Sequence, residues 1–240
     1  MRTEVRVVAA ADPGGGTRLL RVAADGQLAV RATGAGPDGA ARIHLVGAAA
    51  GPLGGDEVRI LLEVGPGAGL EVRSAAATLA LPGRGPGASA EVRTEVRVAE
   101  GGRLGVACEP TVVCSGADLR TVLEVDAHQG AQVRVREVVV LGRHREPPGR
   151  WLGRLSAVAD GFPVLRSTVD GDRLSAVDGA RAVASVLAVG HGPATAAAVR
   201  RQGGWAVVTP LAAGGWSATA WAPDPLTALS LLPPSAVIDL

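Results

Sequence analysis

Residues 51–81 read GPLGGDEVRILLEVGPGAGLEVRSAAATLAL, and this stretch predicts the fold of the whole chain. It opens with a turn rich in Gly and Pro, and two apolar runs follow at residues 57–64 and 70–73. The glycines between the runs, within residues 65–69, permit the positive φ angles of a tight connection. The stretch therefore predicts two strands joined by a short turn, as in a β-hairpin.

The same unit of strand, glycine turn and strand recurs along the chain. Its other copies read LRVAADGQLAVR, VRVAEGGRLGVA and LEVDAHQGAQVRV, starting at residues 20, 96 and 123. The turn glycines Gly26, Gly67, Gly101 and Gly130 are unevenly spaced, so no repeat of fixed period is indicated. The sequence therefore predicts a mostly-β fold of stacked antiparallel hairpins that form an elongated two-sheet domain.

The last third of the chain is expected to carry one or two short helices. Residues 193–201, PATAAAVRR, combine an initial proline and good helix formers with two final arginines, which favours a helix. A second short helix is predicted over residues 226–232, and a closing pair of strands over residues 204–210 and 217–222. We expect residues 1–240 to form a single domain.

Composition and missing motifs exclude several classes of function. The formal net charge is +1, so neither nucleic acid nor an anionic membrane is an expected partner. All 24 residues counted as Lys or Arg are arginines, which excludes mechanisms that need a lysine, and no GxSxG or HExxH motif occurs. We therefore expect no enzymatic activity. The chain lacks the pattern of a signal peptide or a membrane helix, which predicts a cytoplasmic protein with reduced thiols.

Four segments, taken in their order, carry a family resemblance. They are PLGGD at residues 52–56 with the strand that follows, Cys108-Glu109-Pro110, SGADL at residues 115–119, and LGRHREPPG at residues 141–149. Together they resemble the urease accessory proteins of the UreD (or UreH) type, particularly the short actinobacterial form. The resemblance is best over residues 40–175, and it departs from the family pattern at Cys108, where a proline is usual, and at Arg145, where a glycine is usual.

The resemblance implies a mostly-β, non-catalytic scaffold that acts as a chaperone in assembling a nickel centre. Such a protein binds the urease apoprotein and a helical accessory protein of the UreF type, which recruits a nickel GTPase of the UreG type. Nickel is handled transiently, no cofactor is bound permanently, and a route for the metal passes through the UreD-like subunit. The residues assigned by the resemblance to partner binding or metal passage are Gly55, Asp56, Glu109, Pro110, Arg143 and Glu146. Cys108, Cys114 and His144 are candidates for transient contacts with nickel.

Each candidate also has a structural interpretation. Asp56 can cap its own turn, Arg143 can pair with Glu146 across their loop, and the cysteines can pack as small apolar residues. The spacing of Cys108 and Cys114 is not that of a structural zinc site. Two other functions stay open: an unrelated β-rich interaction module, and a β-sandwich that binds a small ligand, or acts on it, through Asp56, Glu109 and His144 together.

Overall fold

The computed structural model describes residues 1–85, 87–192, 195–201 and 203–234. In that part of the chain, strands β1 to β18 span, in order, Arg2–Ala11, Thr17–Asp25, Leu28–Ala35, Ala41–Gly47, Glu57–Val64, Gly69–Ser74, Thr78–Ala80, Ala90–Val98, Arg103–Ala107, Thr111–Val113, Asp118–Ala127, Gln132–Leu141, Arg150–Ala159, Phe162–Asp170, Ala182–Val189, Ala197–Arg201, Gly204–Pro210 and Gly215–Ala222. Helices α1 and α2 span Gly171–Asp178 and Pro225–Leu231.

The strands form two sheets. Sheet A has the order β14-β13-β11-β8-β5-β1-β2, and sheet B has the order β16-β17-β18-β15-β12-β9-β6-β4-β3, with β7 and β10 pairing beside β12. The prediction of a mostly-β, two-sheet fold with one or two short helices in the last third is confirmed. No helix in the described ranges has the length and apolar character needed to cross a membrane.

The glycine turns connect the two sheets and do not join hydrogen-bonded neighbours. β5 pairs in parallel with β1 and β8 of sheet A, whereas β6 pairs in parallel with β4 and β9 of sheet B. The antiparallel hairpin pairing expected around Gly26, Gly67, Gly101 and Gly130 is therefore wrong, because each turn passes from one sheet to the other. Crossing between sheets places the apolar faces of the two strands against each other, and the next copy covers the free strand edges.

Alternation along each strand determines which side chains enter the space between the sheets. In β5 the buried residues are Val58, Ile60, Leu62 and Val64, and the residues between them face outwards. Leu62 is 1% exposed, and burying a leucine to this extent contributes about 1.5–3 kcal/mol. The core is therefore built mainly from Val, Leu and Ala of successive turns.

The C-terminal elements agree with the sequence at some points and differ at others. The helix predicted over residues 193–201 is wrong, because Ala197–Arg201 forms β16 and pairs antiparallel with β17; residues 193 and 194 lie outside the described ranges. Tertiary pairing here overrides the helix propensity of alanine. The closing strands β17 and β18 are confirmed, as is α2, whose N-cap Asp224 accepts a hydrogen bond from the N–H of Thr227 at 2.9 Å.

Candidate functional site

The loops that follow β4, β7, β10 and β12 stack on one another along one side of the molecule, which we call the loop edge. Hydrogen bonds link each loop to the adjacent turn: Leu81 N–H to Pro52 O at 2.9 Å, Cys114 N–H to Ala80 O at 3.0 Å, and Gly142 N–H to Val113 O at 2.7 Å. This stacking puts Asp56, Cys114 and the loop containing Arg143 in successive layers. The segment from Cys108 to Pro110 lies elsewhere, at the break between β9 and β10 within sheet B.

Asp56 is a buried cap at the loop edge. Its Oδ2 accepts a hydrogen bond from Leu53 N–H at 2.9 Å, and its Oδ1 accepts one from the Met1 ammonium at 2.5 Å. Burial alone would raise the pKa of Asp56, but the bonds from the ammonium and from Leu53 outweigh it, so the pKa lies below its usual value. Gly55 precedes it at φ +93°, in the region that favours glycine. Both residues therefore have a structural role in this turn: Gly55 through its backbone conformation and Asp56 through its hydrogen bonds.

The segment Cys108-Glu109-Pro110 is held against the turn before β7. Glu109 N–H donates to Ser74 Oγ at 2.9 Å, Thr78 N–H donates to the Pro110 carbonyl at 3.0 Å, and the Glu109 side chain is exposed. Burial raises the pKa of the Cys108 thiol to about 11, against the opposing effects of a hydrogen bond with Ser74 and of nearby arginines. The thiol is therefore protonated near neutral pH and is a weak metal ligand in that state.

Arg143 and Glu146 form the ion pair that their loop predicts. Arg143 Nε donates to Glu146 Oε1 at 2.8 Å, and Arg143 N–H donates to Oε2 at 3.1 Å. These hydrogen bonds, the side-chain bond first, lower the pKa of Glu146 to about 2. Arg181 donates to the Glu146 carbonyl at 2.6 Å, which ties this loop to the start of β15. Arg145 adopts φ +63°, which explains why a glycine suits this position.

The candidate nickel contacts are not brought together. Cys114 is buried and burial raises its pKa, whereas His144 is exposed in the next loop. Within the described ranges, no group of three or more His, Cys, Asp and Glu residues is arranged to hold a metal ion. Asp56, Glu109 and His144 line neither of the two cavities described below.

A cleft opens between the sheets at their C-terminal end. Sheet A ends at β14, while sheet B continues through β15, β18 and β17, so the inner faces of β17 and β18 lie opposite the last strand of sheet A. The cavity between them measures about 660 Å³, and hydroxyl side chains are prominent in its lining: Ser167, Thr168, Thr209, Ser217 and Thr219. A smaller cavity of about 30 Å³ adjoins it, sharing Ser167, Val169 and Thr219.

Glu137 lines the smaller cavity. It is not among the candidate site residues identified from the sequence. Glu137 is hydrogen-bonded to Thr121, whose Oγ1 also accepts a hydrogen bond from Trp151 Nε1 at 3.1 Å. Burial between the sheets raises the pKa of this carboxyl group, and the bond to Thr121 only partly opposes the effect. A carboxylate at an inward position is costly for folding, which makes Glu137 a candidate functional residue.

The sequence does contain a signal for Glu137. β12 reads QVRVREVVVL, and counting every second residue from Val133 places Glu137 on the same face as Val135 and Val139. A carboxylate thus interrupts a series of buried valines. Strand alternation, once the register of β12 is known, identifies it as an inward-facing acid.

The comparisons with known proteins agree on one family. A family model described as UreD urease accessory protein matches residues 1–236. The chain is 40% identical over 243 residues to the urease accessory protein UreD of Streptomyces coelicolor, covering 97% of this chain and 94% of that protein. It is 42% identical over 198 residues to the urease accessory protein UreD 1 of Saccharopolyspora erythraea, covering 79% and 75%. A Frankia alni protein described as urease accessory protein UreD is 37% identical over 277 residues.

Proposed function

Because the chain belongs to the UreD family of urease accessory proteins, we propose that it is a scaffold for inserting nickel into urease. In this role it binds the urease apoprotein and a helical accessory protein of the UreF type, which recruits a nickel GTPase of the UreG type. The chain is an accessory protein and not the catalyst. The observation that carries the proposal is the extent of the match, because it covers almost the whole fold and not one loop or motif.

Nickel, in this proposal, is a passing cargo. Burial raises the pKa of both cysteine thiols, so a proton competes with a metal ion for each sulfur atom. Glu137 is the acid whose position fits a contact with nickel, because it lies beside a cleft of about 660 Å³ that opens between the sheets. Its raised pKa means that a proton competes with the metal, so a bound ion is released readily.

Co-expression with the urease subunits and accessory proteins of the same genome tests the scaffold. We expect a tag on this chain to recover urease and the helical accessory protein, and deletion of the chain to abolish urease activity. The proposal is wrong if nothing of the urease system is recovered and activation proceeds without the chain.

A matched pair of variants tests the passage of nickel separately. Glu137→Gln keeps the shape and the polar character of the side chain but removes its charge, whereas Glu100→Gln makes the same change in an exposed turn. We expect both variants to be recovered with the partners, and only Glu137→Gln to slow urease activation. Equal activation by the two variants would exclude Glu137 from the route while leaving the scaffold intact.

A further inference from the structure

Sheet A ends before sheet B at the cleft. The last strand of sheet A, β14, lies opposite β18, because Ser167 of β14 and Thr219 of β18 line the same small cavity. Sheet B continues beyond β18 through β17 and β16, and in the described ranges no strand of sheet A lies opposite these two. The cleft of about 660 Å³ therefore lies where the next strand of sheet A would be.

The backbone edge of β14 borders this cleft. Four consecutive residues, 167–170, line it. Successive side chains of a strand point to opposite faces, so side chains of one face alone could not supply four lining residues in a row. The cleft thus runs along the strand itself, where every second residue directs its N–H and C=O away from β13.

The inner face of β17 is less covered than the outer face. Val207 points inwards, because it pairs with Thr219, and it is 38% exposed. Val208 points outwards, packs in the same cluster as Ala228 of α2 and is 9% exposed. Leu187, on the inner face where sheet A covers β15, is 1% exposed. A strand placed beside β14 would cover Val207 and so bury further apolar surface.

Only the first part of the β14 edge has features that discourage strand pairing. Pro163 has no backbone N–H, and the register shifts between Ala157 and Val158 of β13, which places a β-bulge near the start of β14. Such features protect natural edge strands from further pairing. Residues 165–170 pair regularly with β13, so this part presents a regular edge about 20 Å long.

A second copy of the chain does not fit this edge. Two copies of β14 paired antiparallel would be related by a two-fold axis perpendicular to the sheet, which keeps both copies of sheet B on the same side. Strands β17 and β16 of one copy would then collide with β18 and β15 of the other. The occupant must therefore be thin, which an extended segment without a second sheet behind it satisfies.

We propose that an extended segment of a protein partner adds to sheet A as a strand beside β14. Its backbone pairs with residues 165–170, and its alternate side chains enter the cleft, where Val207 and the hydroxyl groups of β17 and β18 favour small apolar or hydroxyl residues. Arg166 is exposed on the outer face of β14, so an acidic residue of the segment opposite it would form a favourable cross-strand pair. This inference rests on the scaffold function, because the segment belongs to one of the proteins that the scaffold assembles.

Hydrogen exchange of the urease complex tests the pairing at this edge. Exchange is measured by mass spectrometry for residues 162–170 of the free chain and of the chain recovered with its partners. We expect the backbone amides of residues 165–170 to exchange at least about tenfold more slowly in the complex, because an added strand protects those that point away from β13. Unchanged exchange of these residues in the recovered complex would overturn the proposal.

A matched pair of variants tests the cleft beside the edge. Val207→Glu places a carboxylate where an added strand would bury it, and Val22→Glu makes the same change at a similarly exposed position of β2. Both valines are exposed, so urea unfolding should show both variants folded. We expect only Val207→Glu to lose the partners; recovery of the partners by that variant at the wild-type level would overturn the proposal.

A peptide probe tests the edge without the partners. The probe is a blocked heptapeptide with valine at alternate positions and with threonine, glutamate and threonine between them. We expect saturable binding that slows amide exchange at alternate positions within residues 165–170. Absence of binding, or binding without this protection, would overturn the proposal.

Charge reversal tests the predicted position of the acidic residue. Arg166→Glu should weaken binding of the probe about twofold to fivefold and strengthen binding of the same peptide with lysine in place of glutamate. The control Arg120→Glu reverses an exposed arginine of β11 and should change neither affinity. Equal effects of the two reversals would contradict the proposed register of the segment on β14.

Other occupants of the edge would be detected in the free chain. A concentration-dependent dimer that Val207→Glu abolishes would identify a second copy, and faster exchange of residues 165–170 in a chain shortened after Pro234 would identify the chain's own last residues. Either result would overturn the proposal. Failure of the wild-type chain to recover its partners would count against the scaffold function, and the peptide probe would then decide the role of β14.

Discussion

Adjacent glycines in the turn before β5 are needed for different physical reasons, and an alanine at each separates the two. At Gly54 a Cβ would lie 2.3 Å from the Ala88 carbonyl oxygen and 2.7 Å from the Gly83 amide nitrogen. Both are backbone atoms, so there is no room for a methyl group unless one of the loops moves. At Gly55 a Cβ would meet nothing within 4 Å, but φ is +93°. The first position is limited by close packing of two loops and the second by backbone conformation alone.

These differences give different magnitudes. Gly54→Ala must push the loop after β4 away from the loop after β7, and overpacking of this kind costs about 3 kcal/mol of unfolding free energy. Gly55→Ala must hold an L-residue in the left-handed region, which costs about 1–2 kcal/mol. Gly55→Asn should cost less than Gly55→Ala, since asparagine tolerates this conformation better.

Urea unfolding followed by tryptophan fluorescence measures these costs, because Trp151 and Trp216 are buried in the folded chain. The same variants should be assayed for recovery of the urease partners at a temperature where each is folded. The reasoning is refuted if Gly55→Ala is as costly as Gly54→Ala, or if Gly54→Ala costs less than about 1 kcal/mol.

Three further predictions concern Glu137, Glu146 and Arg145. Burial raises the pKa of Glu137 in the folded chain, so the folded state is favoured while this carboxyl group is protonated and loses stability as the pH rises and the group ionises. Glu137→Gln should therefore leave the unfolding free energy unchanged at about pH 4 and raise it by about 1–3 kcal/mol at about pH 8. Thermal unfolding at the two pH values measures both effects. Hydrogen bonds from Arg143 lower the pKa of Glu146 in the folded chain to about 2. The wild type should therefore be more stable than Glu146→Gln above pH 4.5, and this difference in stability should disappear as the pH falls towards 2. Arg145→Gly should raise the urea midpoint by relieving φ +63°, a net gain of about 0.5–1 kcal/mol after the extra freedom of glycine in the unfolded chain; no gain would contradict the strain.

The sequence predicts where the strands and turns lie better than it predicts which strands pair with each other. The turn glycines Gly26, Gly67, Gly101 and Gly130 all adopt positive φ, as the strand-turn-strand pattern requires. The same pattern describes a hairpin within one sheet and a turn that crosses between two sheets, since both need alternating strands and a flexible turn. Pairing between copies depends on contacts distant in sequence, which local residues do not encode.

The site was predictable to a smaller extent. The capping role of Asp56 and the pair of Arg143 with Glu146 follow from local sequence, because both partners lie within a few residues. Glu137 required the register of β12, because only that register shows that its carboxyl group takes the place of a valine between the sheets. Residues that come together only through parallel stacking give no signal in a local window.

Parallel stacking also relates the order of assembly to the order of synthesis. In sheet A, β8 joins β5, β11 joins β8 and β13 joins β11, so each new strand adds to one that left the ribosome earlier. The growing chain can therefore lengthen its stack layer by layer, and at each stage its newest strand has an uncovered edge. A ribosome that pauses within this region leaves that edge open to strands of other nascent chains, which makes pausing sites there points of risk for aggregation.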